Sequence, residues 1–162
     1  MMDSQGVTIS PASWSNDREI VVDLFTEYQN WLGEACCFHD FEAELNTLPG
    51  DYSEPTGCLL MARCDGDVLG VVGLIPLDLE TNTCELKRLY VLPKSRGMGI
   101  GRALSVAILD YATKAGYETI QLETLARLEM ARAIYADLGF QDKGNRIPGQ
   151  SDTPLVMQCD LK

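Results

Sequence analysis

Arg96-Gly97-Met98-Gly99-Ile100-Gly101-Arg102 stands between a strand-like run and the cleanest helical pattern of the chain. Three alternate glycines at such a junction free the backbone to turn sharply, so that several N–H groups converge on an anion at the positive end of the helix dipole. The segment therefore reads as a phosphate loop, with a merely flexible connection as the competing reading of the glycines alone. Spacing rejects two better-known loops. A Walker A loop needs Gly-Lys-Ser/Thr beginning five residues after its first glycine, where this chain has Arg102 and Ala103. The dinucleotide fingerprint needs a third glycine where Arg102 or Leu104 stands. What remains is Arg-x-x-Gly-x-Gly, made by Arg96, Gly99 and Gly101, with Arg102 adding a second guanidinium for charge-assisted contacts to a pyrophosphate.

The flanking patterns define the elements around this loop. After it, Ile100, Ala103, Leu104, Ala107, Ile108, Tyr111 and Ala115 repeat with helical spacing up to Gly116. Tyr117 to Thr124 then reads as a strand with Ile120 and Leu122 inward, which makes a parallel strand–helix–strand crossover. Before the loop, Thr83 to Leu92 is a strand whose apolar residues change parity: Cys84 and Leu86 on one phase, Leu89 and Val91 on the other. A bulge near Lys87 to Leu89 reverses the alternation and leaves main-chain groups unpaired; a strand buried on both faces is the other explanation. Cys58 to Cys64 and Val68 to Leu77, joined by Asp65-Gly66, form an antiparallel hairpin. A first helix runs to Gly33 from an Asn16/Glu19 capping box. A short helix is expected from His39 to Leu48, and another from Leu128 to Leu138, closed by Gly139-Phe140. A last strand spans Pro154 to Asp160, after a loop. The expected fold is α/β of the α+β type, one domain over residues 1–162, with a mixed, mostly antiparallel sheet, one parallel crossover and a bulged central strand.

Composition narrows the function. A formal net charge of −11 repels phosphate backbones, so nucleic acid is not an expected partner. The longest nearly apolar run, Gly70 to Leu77, falls far short of the roughly 18 residues that span a bilayer, so no membrane association is expected. No secretory leader is readable, which makes a cytoplasmic protein the expectation. His39 is the single histidine and the six cysteines show no Cys-x-x-Cys, so neither a metal site nor a histidine-based triad is expected. Cys58, Cys64, Cys84 and Cys159 sit beside apolar runs and read as buried free thiols.

These residues resemble the GNAT superfamily of N-acetyltransferases, whose signature is Arg/Gln-x-x-Gly-x-Gly/Ala between a bulged strand and a helix. The resemblance runs through Cys84-Glu85-Leu86-Lys87-Arg88-Leu89-Tyr90-Val91, the loop and helix to Gly116, and Ala131 to Phe140, which looks like the family's Ala-x-x-x-Tyr-x-x-x-Gly-Phe. It implies an acetyl-CoA-dependent N-acetyltransferase, with acetyl-CoA as co-substrate. It also implies that main-chain groups around Leu89, Tyr90 and Val91 pair with the pantetheine arm. The amides of Arg96, Gly97, Met98, Gly99, Ile100 and Gly101 would hold the pyrophosphate, with Arg102 beside them, and Tyr135 would sit by the thioester sulfur. One position departs: many members carry Asn where this chain has Leu128.

The implied mechanism is direct attack of an amine on the thioester, with Tyr135 protonating the departing thiolate. A thiol near pKa ~8.5 beside a phenol near ~10 makes that transfer cost about 2 kcal/mol in water. Tyr135 also fits the apolar stripe of its helix as a core aromatic. Glu85 and Glu123, on strands flanking the expected slot, are the candidate bases, with solvated residues or salt-bridge partners of Lys87 or Arg88 as the alternative. Acceptor contacts are expected from Trp31 to Tyr52, where Glu34, Asp40, Glu42 and Glu44 would attract a cation. A small-molecule amine is the expected acceptor, with a protein or peptide amine, or a non-catalytic acyl-CoA sensor, as rival readings. A homodimer is compatible with the sequence.

Overall fold

A computed structural model of the chain describes residues 6–33, 41–151 and 153–161. The elements run β1 (Thr8–Pro11), α1 (Trp14–Leu32), α2 (Phe41–Asn46), β2 (Cys58–Cys64), β3 (Asp67–Asp78), β4 (Thr83–Val91), α3 (Ile100–Lys114), β5 (Thr119–Thr124), α4 (Glu129–Asp137), β6 (Gln141–Asn145) and β7 (Leu155–Asp160). Seven strands form one sheet in the order β1-β2-β3-β4-β5-β7-β6, antiparallel throughout except for β4 and β5. The parallel pair is the crossover through α3 expected from the sequence.

Two apolar clusters cover the faces. On one, Leu104, Ile108 and Ala112 of α3 pack with Leu60, Leu74, Leu86, Ile120 and Leu122 of the sheet and with Tyr135 of α4. On the other, Val21, Leu24 and Phe25 of α1 pack with Met61, Val71 and Tyr90. The hairpin turn takes the left-handed conformation at both Asp65 (φ 53) and Gly66 (φ 86), as its sequence demands. Cys58, Cys64, Cys84 and Cys159 are free thiols; Cys58 and Cys84 are buried, and burial pushes each up to about 12. Cys36 and Cys37 lie outside the described residues. No described helix is long and apolar enough to cross a membrane.

The bulge lies where the parity change puts it. β3 and β4 pair Val71 with Tyr90 and Gly73 with Lys87, so Val72 alone stands opposite Arg88 and Leu89. Arg88 absorbs the extra residue at φ 61. In consequence Cys84 and Leu86 before the bulge, and Leu89 and Val91 after it, all pack in the α3-side cluster, while Tyr90 turns into the α1 side. β4 and β5 pair only at Thr83–Thr119, Cys84–Ile120 and Glu85–Gln121, and beyond Glu85 the two strands part. β5 stays fully paired with β7, so the opening is one-sided, between β4 and β5.

Several boundaries differ from the sequence expectation. α1 begins at Trp14, before the proposed Asn16 cap, because Ser13 caps it and the Ser13 N–H donates to Asp17 Oδ2 at 2.8 Å. The described helix of the second segment is shorter than 39–48, and His39 lies outside the described residues. β1 and β6 were not expected. β1 is four residues ending in Pro11, and β6 is Gln-Asp-Lys-Gly-Asn at the sheet edge, held by β7 rather than by apolar residues of its own.

Candidate active site

The opening between β4 and β5 is a cleft of about 100 Å³ lined by Glu85, Lys87 and Arg88 of β4, Glu123 of β5, Leu128 and Tyr135 at α4, and Tyr28 and Leu32 of α1. Glu85 alternates with buried Cys84 and Leu86, and Glu123 with buried Leu122 and Thr124, so both carboxylates face the α1 side of the sheet. Burial pushes the Glu85 carboxyl up; Lys87 opposes this and the charge of Glu123 reinforces it. A carboxylate so raised holds a proton more readily than an exposed one, which is what a base working near neutral pH requires.

Tyr135 is 6% exposed, with its ring centroid 5.6 Å from that of Phe140. The Phe140 N–H donates to the Tyr135 carbonyl at 3.0 Å, across Gly139 at φ 105, so the helix end fixes both rings. Among the described residues the Tyr135 hydroxyl has no hydrogen-bond partner, and burial raises its pKa well above the ordinary phenol value. Leu128, the residue before α4, gives the cleft an apolar wall in place of an amide.

Past the bulge the chain reaches the glycine loop. Gly99 caps α3 at φ 79 and Gly97 turns at φ 85, and a side chain at either would meet no atom within 4 Å, so the loop presents bare backbone outward. Ala103 makes the first backward bond of the helix, to the Gly99 carbonyl at 3.0 Å, which leaves the N–H groups of Ile100, Gly101 and Arg102 without helical acceptors. Ile100 is 2% exposed and anchors this turn in the core, while Met98 lies on the surface. The donor set fits a diphosphate: main-chain N–H groups at a helix start, open on one side.

The two guanidiniums are placed differently from expectation. Arg96 donates through Nε to the Val91 carbonyl at 2.9 Å and lies over the rings of Trp31 and Tyr90, 4.9 and 5.4 Å from their centroids. Arg102 pairs through Nη2 with Asp137 Oδ2 at 2.6 Å, tying the start of α3 to the end of α4. The Tyr90 side chain is likewise committed, its hydroxyl donating to Glu27 Oε2 at 2.6 Å, with burial the main cause of a pKa pushed up to about 12.

The sequence missed a buried polar network around the bulge. Arg88 donates to both oxygens of Glu44, Nη2 to Oε1 at 2.6 Å and Nε to Oε2 at 3.1 Å, and through Nη1 to Gln29 at 3.2 Å. Its guanidinium lies 5.4 Å from the centroid of Phe25 and 4.9 Å from that of Phe41, and Tyr52 donates to Glu44 Oε2 at 2.8 Å. Glu44 is therefore not a free attractor for a cation. Burial pushes its carboxyl up, and Arg88 more than offsets this, leaving it below the ordinary value. Arg88, for its part, is not the partner of Glu85 or Glu123. Glu42 points to solvent from α2, while Glu34 and Asp40 lie outside the described residues. The one signal for this network was a charged residue at the parity change.

Residues 18–140 match the model of the acetyltransferase (GNAT) family. An uncharacterized N-acetyltransferase of Schizosaccharomyces pombe is 34% identical over 142 residues, covering 87% of this chain and 86% of its own. An IAA acetyltransferase of Azospirillum brasilense is 36% identical over 147 residues, covering 89% and 92%. A GNAT-family acetyltransferase of Staphylococcus aureus superposes with a TM-score of 0.78 at 22% identity, over 97% of this chain and 100% of that one.

Proposed function

We infer the reaction from an established premise: the chain belongs to the acetyltransferase (GNAT) family and is an acetyl-CoA-dependent N-acetyltransferase. Our reading is that the acceptor is the primary amine of a small molecule, that Glu85 is the base with Glu123 beside it, and that Tyr135 is the acid. One observation carries this reading: a half-buried carboxylate, a second carboxylate and a buried tyrosine line one narrow cleft at the point where β4 and β5 part. A cleft of about 100 Å³ suits a compact amine better than a folded protein surface.

When bound, acetyl-CoA supplies an acetyl group activated as a thioester. The Arg96 N–H donates to the Pro93 carbonyl at 3.3 Å, contrary to expectation, so the loop amides suited to its diphosphate run from Gly97 to Gly101, and the unpaired edge of β4 around Leu89, Tyr90 and Val91 is suited to its pantetheine amides. Glu85 accepts the proton of the incoming ammonium, so that the nitrogen lone pair forms the C–N bond as the C–S bond breaks. Tyr135 gives its proton to the departing sulfur. The burial that raises Tyr135 acts equally on a thiolate formed in the same cleft, so the gap between phenol and thiol matters more than either value alone. Release of CoA thiol against a panel of small amines, peptides and no acceptor tests the reading. Turnover with small amines supports it; turnover with peptides alone, or acetyl-CoA binding without any turnover, contradicts it.

A further inference from the structure

We propose that the acceptor carries a carboxylate as well as its amine, and that Lys87 binds that carboxylate. The inference rests on the cleft being the acceptor site, and it departs from the purely cationic acceptor that the carboxylates between Trp31 and Tyr52 suggested. Lys87 stands two residues from Glu85 on β4, on the same side of the strand and about 7 Å along it, and both line the cleft. Two cations line that cleft, and they differ in what holds them. Arg88 is engaged through Nε, Nη1 and Nη2 by Glu44 and Gln29 and flanked by Phe25 and Phe41. Lys87 feels the charges of Glu85 and Glu44 but forms an ion pair with neither, nor with any other described residue.

Lys87 also borders a side recess lined by Glu44, Thr47, Pro49, Gly50, Asp51 and Tyr52, so this residue stands between the acceptor cleft and a pocket with room for a substituent. An ammonium with three N–H donors and no partner, next to carboxylates that face the same opening, is matched by a ligand of both charges. The amine of such a ligand goes to Glu85 and Glu123, and its carboxylate to Lys87. A polyamine would bring its second cation against Lys87, and an uncharged substituent would leave the ammonium as it is.

The test uses matched acceptors, small amino acids and their amides, which keep the shape and remove the negative charge. The wild-type protein should favour the carboxylate by about ten- to a hundredfold in kcat/KM, mainly through KM. In Lys87→Met the ratio should fall to near one, and Lys87→Arg should restore most of it. A thermal shift with acetyl-CoA, retained by the methionine variant, reports that it is folded; were it not, the arginine variant and the wild-type ratio still decide. Amides or polyamines acetylated as well as amino acids by the wild type, or a ratio unmoved in Lys87→Met, would overturn the proposal while leaving the transferase reading intact. No turnover with any acceptor would overturn both.

Discussion

Arg88 and Glu44, 44 positions apart, meet in a two-point ion pair at 2.6 and 3.1 Å beneath the bulge of β4. The pair binds α2 to Arg88, the strand residue whose left-handed backbone forms the bulge. Its side chains are 9% and 18% exposed, so the charges depend on each other.

Removing one partner leaves the other buried and uncompensated. Glu44→Ala should therefore destabilise the protein by about 3 kcal/mol, the lower end for a broken buried pair because Gln29 still accepts from Arg88. Urea unfolding checks this, and a loss within 0.5 kcal/mol would show that the pair contributes little.

The same pair sets an acid limit. Glu44 is depressed on folding, so its contribution is complete above the ordinary carboxylate pKa and disappears as pH falls through the lower folded value. Asp17, lowered chiefly by the Ser13 N–H and also by Arg63, acts in the same direction. Glu85 is raised, so its burial favours folding at low pH and opposes it once the group ionises. Unfolding free energy should fall below about pH 4.5 in the wild type. Glu44→Gln should flatten that fall; an unchanged profile would remove Glu44 from the account.

For catalysis, the acid limb of kcat/KM should show an ionisation above the ordinary carboxylate range, because burial raises Glu85. Glu85→Gln should abolish that limb and slow turnover by about 10²- to 10⁴-fold. If the limb survives in the variant, another group is the base.

Tyr135→Phe should lower kcat by about 10²-fold or more with acetyl-CoA affinity within a factor of about two, since the ring still packs on Phe140. Single-turnover thiol release and a binding titration separate the two effects. An unchanged kcat would assign Tyr135 to packing alone.

Asp137 holds Arg102 away from the loop in an exposed pair, 63% and 47% accessible. Asp137→Asn should leave stability within about 0.5 kcal/mol and tighten acetyl-CoA severalfold by releasing the guanidinium toward the diphosphate. Calorimetric titration measures this; equal or weaker binding would mean that Arg102 does not reach the cofactor.

The bulge was legible because it reverses the parity of four apolar residues, and the loop because alternate glycines at a strand–helix junction have few other uses. The hairpin announced itself in Asp65-Gly66. β6 was not legible: Gln-Asp-Lys-Gly-Asn has no periodic apolar residue, and only pairing with β7 makes it a strand. Nor was the fate of the charged groups. Glu44 with Arg88, Arg96 with Trp31, and Arg102 with Asp137 are tertiary partnerships, and local sequence carries no record of which distant group a guanidinium meets.

The backbone amides of Gly97, Gly99 and Gly101, followed by NMR during titration with acetyl-CoA, test the cradle most directly. Saturable movement of all three, lost when Gly99→Val strains the left-handed turn that aims these amides, is the predicted result. Amides that stay still at saturating acetyl-CoA while the rest of the spectrum moves would contradict it.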